Sequence, residues 1–171
     1  MRKVIPVVIF AGFAAVLIYL FTGAQTVQET PPGPISLPEQ FGDFKQTYIA
    51  TEKEGILNFE RQHKKRIPIK SGVKSDYTDG TVKVELWVAN AAGPTHANQM
   101  FMEMASTIGP KHEIFTQPQP VNLGITNGYR TEGQEAVNFF FTREGRVYWI
   151  AVRGGNPEEV ANLFISGLFP Q

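Results

Sequence analysis

Residues that could bind a metal or act as a nucleophile are few in this sequence and widely spaced. His63, His96 and His112 fall in no H-x-x-H or H-E-x-x-H pattern, and the chain has no cysteine. No serine stands in a G-x-S-x-G elbow, and no phosphate-binding or dinucleotide-binding glycine pattern is present. We therefore predict no catalytic residue, no metal site and no bound cofactor.

Three carboxylates near one turn are the remaining candidates for acid–base chemistry. Asp76 and Asp79 flank a Tyr-Thr pair, and Glu85 lies on the following strand. Paired carboxylates can serve as acid and base. However, Asp79-Gly80 is also a common turn sequence, in which the aspartate binds its own backbone. We prefer the turn interpretation, so an enzyme is the least favoured of three functional hypotheses.

A basic run follows the first predicted helix. Its candidate patch residues are Arg61, Lys64, Lys65 and Arg66. A solvated helix end is the preferred interpretation, because cations there complement the helix dipole. The alternative is a patch for acidic lipid headgroups or an acidic partner protein. Lys+Arg and Asp+Glu number 16 each, so the chain lacks the basic excess of nucleic-acid binders, and no nucleic-acid partner is predicted.

Aromatic residues could form a contact surface. Neighbouring side chains of a strand point to opposite faces, so Trp87 and Phe140 lie opposite the apolar core faces of their strands. If helices cover only one side of the sheet, these two residues and one of Tyr148 or Trp149 remain on the open side as an apolar patch. The alternative is that another element covers them, or that they are scattered. The candidate partner-contact residues are Trp87, Phe140, Tyr148 and Trp149.

Two hairpins and three helices must position these residues. The hairpins are predicted at residues 73–90, around Thr78-Asp79-Gly80, and at residues 135–153. Apolar spacing and capping signals predict helices at 51–64, at 95–108 and after Asn156-Pro157. Short strands are expected at 45–50 and 113–116, with a loop at Pro118 and Pro120 and a turn at Asn127-Gly128.

This pattern predicts an α+β fold. Each hairpin is followed by a glycine-containing break and a helix, which is typical of helices packed against an antiparallel sheet. We expect about five to six strands, with two to three helices mainly on one face.

The N-terminal segment predicts a membrane anchor. Residues 4–22 carry no charge, and about 19 helical residues span roughly 30 Å of hydrocarbon. Arg2 and Lys3 precede the segment and the next basic residue is Lys45. The positive-inside rule therefore places residues 1–3 in the cytoplasm and the rest of the chain outside, in the periplasm or at the cell surface.

A cleaved signal peptide is the alternative, since Thr22-Gly23-Ala24 resembles a cleavage site. We prefer a retained anchor because the apolar run is longer than that of a typical signal peptide. Residues 23–39 contain Pro31, Pro32, Pro34 and Pro38 and are interpreted as an extended linker. Residues 40–171 form the extracytoplasmic domain.

The functional hypothesis is a non-catalytic interaction domain. It would be an accessory or stabilising subunit of a larger membrane complex of respiratory, photosynthetic or transport type. Its expected partners are the lipid bilayer, through residues 4–22, and other membrane proteins. The alternative is a ligand-binding or sensing domain whose cavity is walled by Met100, Met102 and Met104.

Overall fold

The fold was taken from a computed structural model, which describes residues 29–63, 68–109 and 114–170. Three helices and eight strands lie in this part of the chain. The helices are α1 (Glu52–His63), α2 (Pro94–Thr107) and α3 (Pro157–Leu168). The strands are β1 (Gln40–Phe41), β2 (Phe44–Ala50), β3 (Ser71–Thr78), β4 (Lys83–Asn90), β5 (Gln119–Asn122), β6 (Asn127–Gly133), β7 (Ala136–Arg143) and β8 (Arg146–Arg153).

All eight strands form one antiparallel sheet in the order β1-β2-β3-β4-β8-β7-β6-β5. The α+β class and the antiparallel sheet are thus confirmed, while the expected number of strands was too low. Both predicted hairpins are present, and they meet at the centre of the sheet, where β4 pairs with β8.

Three strands were not predicted: the two-residue β1, and β5 and β6, which lie where a loop and a turn were expected. Residues 119–122 form β5 although Pro120 lies within it, which is tolerated because β5 is an edge strand of the sheet. Asn127-Gly128 opens β6, and the connecting turn lies just before it, at residues 123–126. Phe115 makes only an isolated bridge to Gly133, so the described residues contain no continuous strand at 113–116.

The main core lies between the sheet and α3. We call this side of the sheet the α3 face. Phe164 of α3 is fully buried against Phe41, Phe44 and Tyr77, with ring centroids 4.3, 5.4 and 5.2 Å away. Apolar side chains of the three neighbouring strands β4, β8 and β7 complete the core: Val84, Leu86, Val88, Phe139, Phe141, Tyr148, Ile150 and Val152. Asn156 is the N-cap of α3 and Pro157 its first residue, which confirms the predicted start.

The helix α2 covers part of the opposite side, which we call the α2 face. Its buried Ala97 packs with Ala91 and Val147, joined by the half-buried Met100 and Met104. Because α2 and α3 lie on opposite faces, neither side of the sheet is left entirely open, contrary to the arrangement in which helices cover one side only. The reason is that β7 and β8 carry large apolar side chains on both faces, and each face needs its own cover.

The described part of the proline-rich linker, which we call the N-terminal arm (residues 29–38), is extended and lies on the domain. Arg146 Nη2 donates to the carbonyls of Gly33 and Pro34 at 3.1 and 3.2 Å. Asn90 Nδ2 donates to the Gly33 carbonyl at 2.9 Å, and Tyr77 Oη donates to the Pro38 carbonyl at 2.9 Å. These contacts fasten the arm along the α3 face.

The predicted anchor at residues 4–22 lies outside the described residues. Within the part of the chain that the structure describes, no helix is both long enough and apolar enough to cross a membrane.

Candidate functional site: an aromatic ladder across the sheet

Four aromatic side chains line up across four neighbouring strands on the α2 face. Strand register pairs Tyr129 with Phe140, Phe140 with Trp149, and Trp149 with Trp87. The rings of Tyr129 and Phe140 stack at 5.5 Å and 24°, and those of Phe140 and Trp149 at 5.3 Å and 11°. Cross-strand aromatic pairs stabilise a sheet and hold each ring in one orientation. We call these four residues the aromatic ladder.

Aromatic residues from outside the four strands pack over part of the aromatic ladder. Phe101 of α2 lies 5.4 Å from the Tyr129 ring and 5.8 Å from the Phe140 ring. Phe115 lies edge-on to Trp149 at 5.6 Å. Phe140 is consequently 0% exposed. The expectation that Phe140 lies on an open side is therefore wrong, because α2 packs over it.

Tyr148 belongs to the other face. It is 2% exposed, stacks on Phe141 at 4.8 Å and meets Phe169 at 5.4 Å. Of the two alternatives that the strand alternation left open, Trp149 lies on the α2 face and Tyr148 is part of the core. Tyr148 is thus unavailable as a surface contact.

Trp149 and Trp87 form the half-buried part of the aromatic ladder, at the central pair of strands. The Trp149 Nε1–H donates to Asn138 Oδ1 at 3.1 Å. Asn138 is itself buried, and its amide group donates to the carbonyls of Gly133 and Ala136, each at 3.2 Å. This chain of hydrogen bonds fixes the indole of Trp149 in position.

A cation borders the ladder at Trp87. Lys74 Nζ lies 5.4 Å from the Trp87 ring and 5.3 Å from the Tyr48 ring, at distances typical of cation–π contacts. The same ammonium group lies 2.8 Å from a carboxylate oxygen of Asp76 and 3.5 Å from one of Glu85. Glu85 also accepts a hydrogen bond from Arg153 Nη1. We call Lys74, Asp76, Glu85 and Arg153 the ion network.

Opposite charges favour the ionised forms of Lys74 and Glu85. Burial alone would lower the pKa of Lys74, but the carboxylates of Asp76 and Glu85 outweigh it and the pKa is raised. Burial would likewise raise the pKa of Glu85, yet the charges of Lys74 and Arg153 lower it. The half-buried tryptophan pair is thus bordered by permanent charges of both signs.

The third carboxylate of the sequence, Asp79, is separate from this network. It accepts hydrogen bonds from the backbone N–H groups of Val82 at 2.7 Å and Thr81 at 2.8 Å, and these bonds lower its pKa. The turn interpretation of Asp79 is therefore confirmed. Within the described residues, no group of His, Cys, Asp and Glu side chains is arranged to hold a metal ion.

The other candidate residues are not brought to the aromatic ladder. The side chain of Arg61 and the whole of Lys64, Lys65 and Arg66 lie outside the described residues. The basic patch therefore stays a prediction. Met102 is 57% exposed on α2, which sets it apart from the half-buried Met100 and Met104.

The sequence reasoning missed several residues of this site. Lys74 and Asp76 were not connected with Trp87, because only the pairing of β3 with β4 places them beside it on the same face. The sequence also did not connect Phe101 and Phe115 with the ladder, because they reach it from α2 and from a loop.

Comparison of the chain with protein-family models, with curated proteins and with solved structures finds no match. The functional argument therefore rests on the geometry of this chain.

Proposed function

We propose that this chain is a non-catalytic interaction domain, anchored in a membrane by residues 4–22 and placed on the extracytoplasmic side. It would serve as an accessory or stabilising subunit of a larger membrane protein complex. The observation that carries this proposal is the half-buried pair of Trp87 and Trp149 at the centre of the sheet, bordered by the ion network.

Tryptophan, tyrosine and arginine dominate the binding energy of protein interfaces, above all where rigid elements hold them. Trp87 and Trp149 lie on the two central strands, and Trp149 is fixed further by Asn138. The same face continues to Tyr48 on β2, which is 39% exposed, and to Arg153 at the end of β8. The combination of rigid apolar rings and a charged border resembles the core and rim of a protein interface.

The predicted anchor favours a partner in the same membrane. Two proteins confined to one bilayer meet at a high effective concentration, so a modest contact area suffices for stable association. Other membrane proteins are accordingly the partners we propose.

Purification from membranes in mild detergent tests the proposal with two matched variants. Trp87→Gln removes one ring of the tryptophan pair, whereas Met102→Gln changes an exposed apolar residue of α2 outside the ladder. We expect a partner at fixed stoichiometry with the unchanged chain and with Met102→Gln, and at least tenfold less of it with Trp87→Gln, a loss of about 1.4 kcal/mol or more. Circular dichroism melts verify that both variants fold.

Either of two results would contradict the proposal. One is a chain that purifies as a monomer without a stoichiometric partner. The other is a partner that binds the folded Trp87→Gln variant as well as it binds the unchanged chain.

A further inference from the structure

The path of the N-terminal arm determines which end of the sheet meets the chain that leads to the predicted anchor. Glu29 accepts the Thr95 N–H at 3.0 Å, at the first turn of α2. Pro32 packs against Gly145 in the turn between β7 and β8. The arm then passes Asn90 and Arg146 and reaches Tyr77 near the opposite end of the sheet.

We call the two ends of the sheet the Asn90 end and the Lys83 end. Strand register places Ser71, Asn90 and Arg146 at the first, and Thr78, Lys83 and Arg153 at the second. Because Glu29 and Pro32 both lie at the Asn90 end, the arm begins at that end of the sheet.

The chain that joins the predicted anchor to the arm is short. Six residues separate Thr22 from Glu29, and an extended chain advances at most about 3.6 Å per residue, so Glu29 lies within roughly 25 Å of the end of the apolar segment. The strands are eight residues long in β3, β4, β7 and β8, which corresponds to roughly 27 Å. The Lys83 end is therefore about one strand length farther than the Asn90 end from Glu29, the first described residue of the arm.

We propose that the Asn90 end of the sheet faces the lipid headgroups, so that the strands stand upright on the bilayer. The inference rests on the proposed membrane anchor. The inference goes beyond that anchor, because an anchor alone limits only the distance of the domain from the membrane, whereas a bound arm also fixes the orientation of the domain. If the arm were free, the domain could rotate about the linker and present any surface to the membrane.

The distribution of exposed charge agrees with this orientation. Lys70 is exposed at the Asn90 end, where its N–H donates to the Asn90 carbonyl at 2.8 Å. Glu144, exposed at the same end, is paired with Arg143 at 3.4 Å. The turns and helix start at the Lys83 end expose four acidic side chains alongside Lys83: Asp79, Glu135, Glu158 and Glu159. Of these, Glu158 is paired with Arg130 at 3.0 Å. An acidic bilayer surface repels that cluster and favours the end that carries Lys70.

Upright strands also place the proposed binding face. Trp87 is three residues from Asn90, which is about 10 Å along the strand. The tryptophan pair would therefore stand just above the headgroups and face sideways, where an extramembrane part of a neighbour in the same bilayer can reach it.

Single labels test the orientation, because the chain contains no native cysteine. Asn127→Cys places a label at the Asn90 end and Lys83→Cys at the Lys83 end, both at exposed positions. Each full-length variant carries one environment-sensitive fluorophore and is reconstituted in phosphatidylcholine vesicles with phosphatidylglycerol and a headgroup-linked quencher. We expect about threefold or more stronger quenching of the label at the Asn90 end than of the label at the Lys83 end, since the ends are roughly 27 Å apart.

A further variant ties the orientation to the arm. Arg146→Ala removes the hydrogen bonds to Gly33 and Pro34, and Arg143→Ala is its control in the same turn, because Arg143 packs on Phe169 and touches Glu144 instead. The quenching of the two labels should become nearly equal with Arg146→Ala. The difference in quenching should persist with Arg143→Ala.

The outcomes separate this inference from the anchor. Vesicle flotation with equal quenching at both ends, or with stronger quenching at the Lys83 end, overturns the orientation and leaves the anchor standing. A chain that does not float with the vesicles overturns both.

Discussion

At the scale of single residues, the most unusual feature is the ammonium group of Lys74, which contacts two aromatic rings and two carboxylates at once. Its side chain is 17% exposed, so the surrounding carboxylates are only partly screened by water. A surface ion pair contributes little to stability, but a partly desolvated cation shared by several partners contributes more.

We expect Lys74→Met to destabilise the domain by about 1–3 kcal/mol, since Asp76 and Glu85 would face each other without the cation. Glu85→Gln alone should also destabilise the domain. The double variant Lys74→Met with Glu85→Gln should lose less stability than the sum of the two single losses, because the two changes remove one shared interaction. Urea unfolding measures the free energy of unfolding of all three variants. Lys70→Met replaces an exposed lysine and is the control, for which the change in this free energy should be near zero. Strict additivity would show that Lys74 and Glu85 do not interact.

The residues that the sequence predicted correctly act locally. Asp79 binds N–H groups two and three positions along the chain, and Asn156 occupies the N-cap position of the helix that directly follows it. Lys74 could not be assigned in this way, because its partners come from β2 and β4 as well as from β3. Only the pairing of those strands brings them together.

At the scale of elements, Gly55 shows how a feature unfavourable for a helix can be a packing contact. Glycine in a helix interior costs about 1 kcal/mol relative to alanine, so Gly55 by itself disfavours α1. In the structure, a Cβ atom at Gly55 would come within 3.0 Å of the Gly72 carbonyl group. The missing side chain lets α1 approach β3.

We therefore expect Gly55→Ala to destabilise the domain by about 1–3 kcal/mol through overpacking, despite the better helix propensity of alanine. Gly33→Ala is the control, because no atom lies within 4 Å of its Cβ position, and the change should be neutral or slightly stabilising. Thermal unfolding followed by circular dichroism compares the two. A more stable Gly55→Ala variant would mean that α1 does not pack closely on β3.

Strands β5 and β6 mark the limit of prediction at this scale. Their sequences, QPVN and NGYRTEG, show no alternation of apolar and polar residues and contain proline or glycine. They are strands because β6 pairs with β7 along its length, and β5 pairs with β6. The two central hairpins, by contrast, carry their own pattern, and the sequence predicted both.

At the scale of the whole molecule, the N-terminal arm joins the two faces of the sheet. It begins at the first turn of α2 and continues onto the α3 face, where Ile35 and Leu37 pack against the core. The proline content indicated an extended segment, but its attachment depends on Asn90 and Arg146, which are distant in sequence and carried no local signal of this role.

The first contact of the arm should depend on pH. Hydrogen bonding from Thr95, followed by the nearby His96, lowers the pKa of Glu29. A carboxylate whose pKa is lowered by folding stabilises the fold above its ordinary pKa of about 4.3 and loses that effect as the pH falls through the lowered value. We expect Glu29→Gln to lower the melting temperature at neutral pH and to have no effect in strong acid.

Melting curves from pH 7 downward measure the difference in melting temperature between the unchanged chain and Glu29→Gln. Glu39→Gln is the control, at an exposed position in the same part of the chain. A difference that stays constant with pH would show that the Glu29 carboxylate does not stabilise the start of α2 through its charge.

The pairing of β4 with β8 gives the molecule a built-in optical reporter. The chain has 2 tryptophans, and they lie directly opposite each other across this central seam. Intrinsic fluorescence therefore reports on a single place, where the two hairpins join. Emission that shifts before the far-ultraviolet signal changes would reveal the hairpins separating while each keeps its strands, without any added dye.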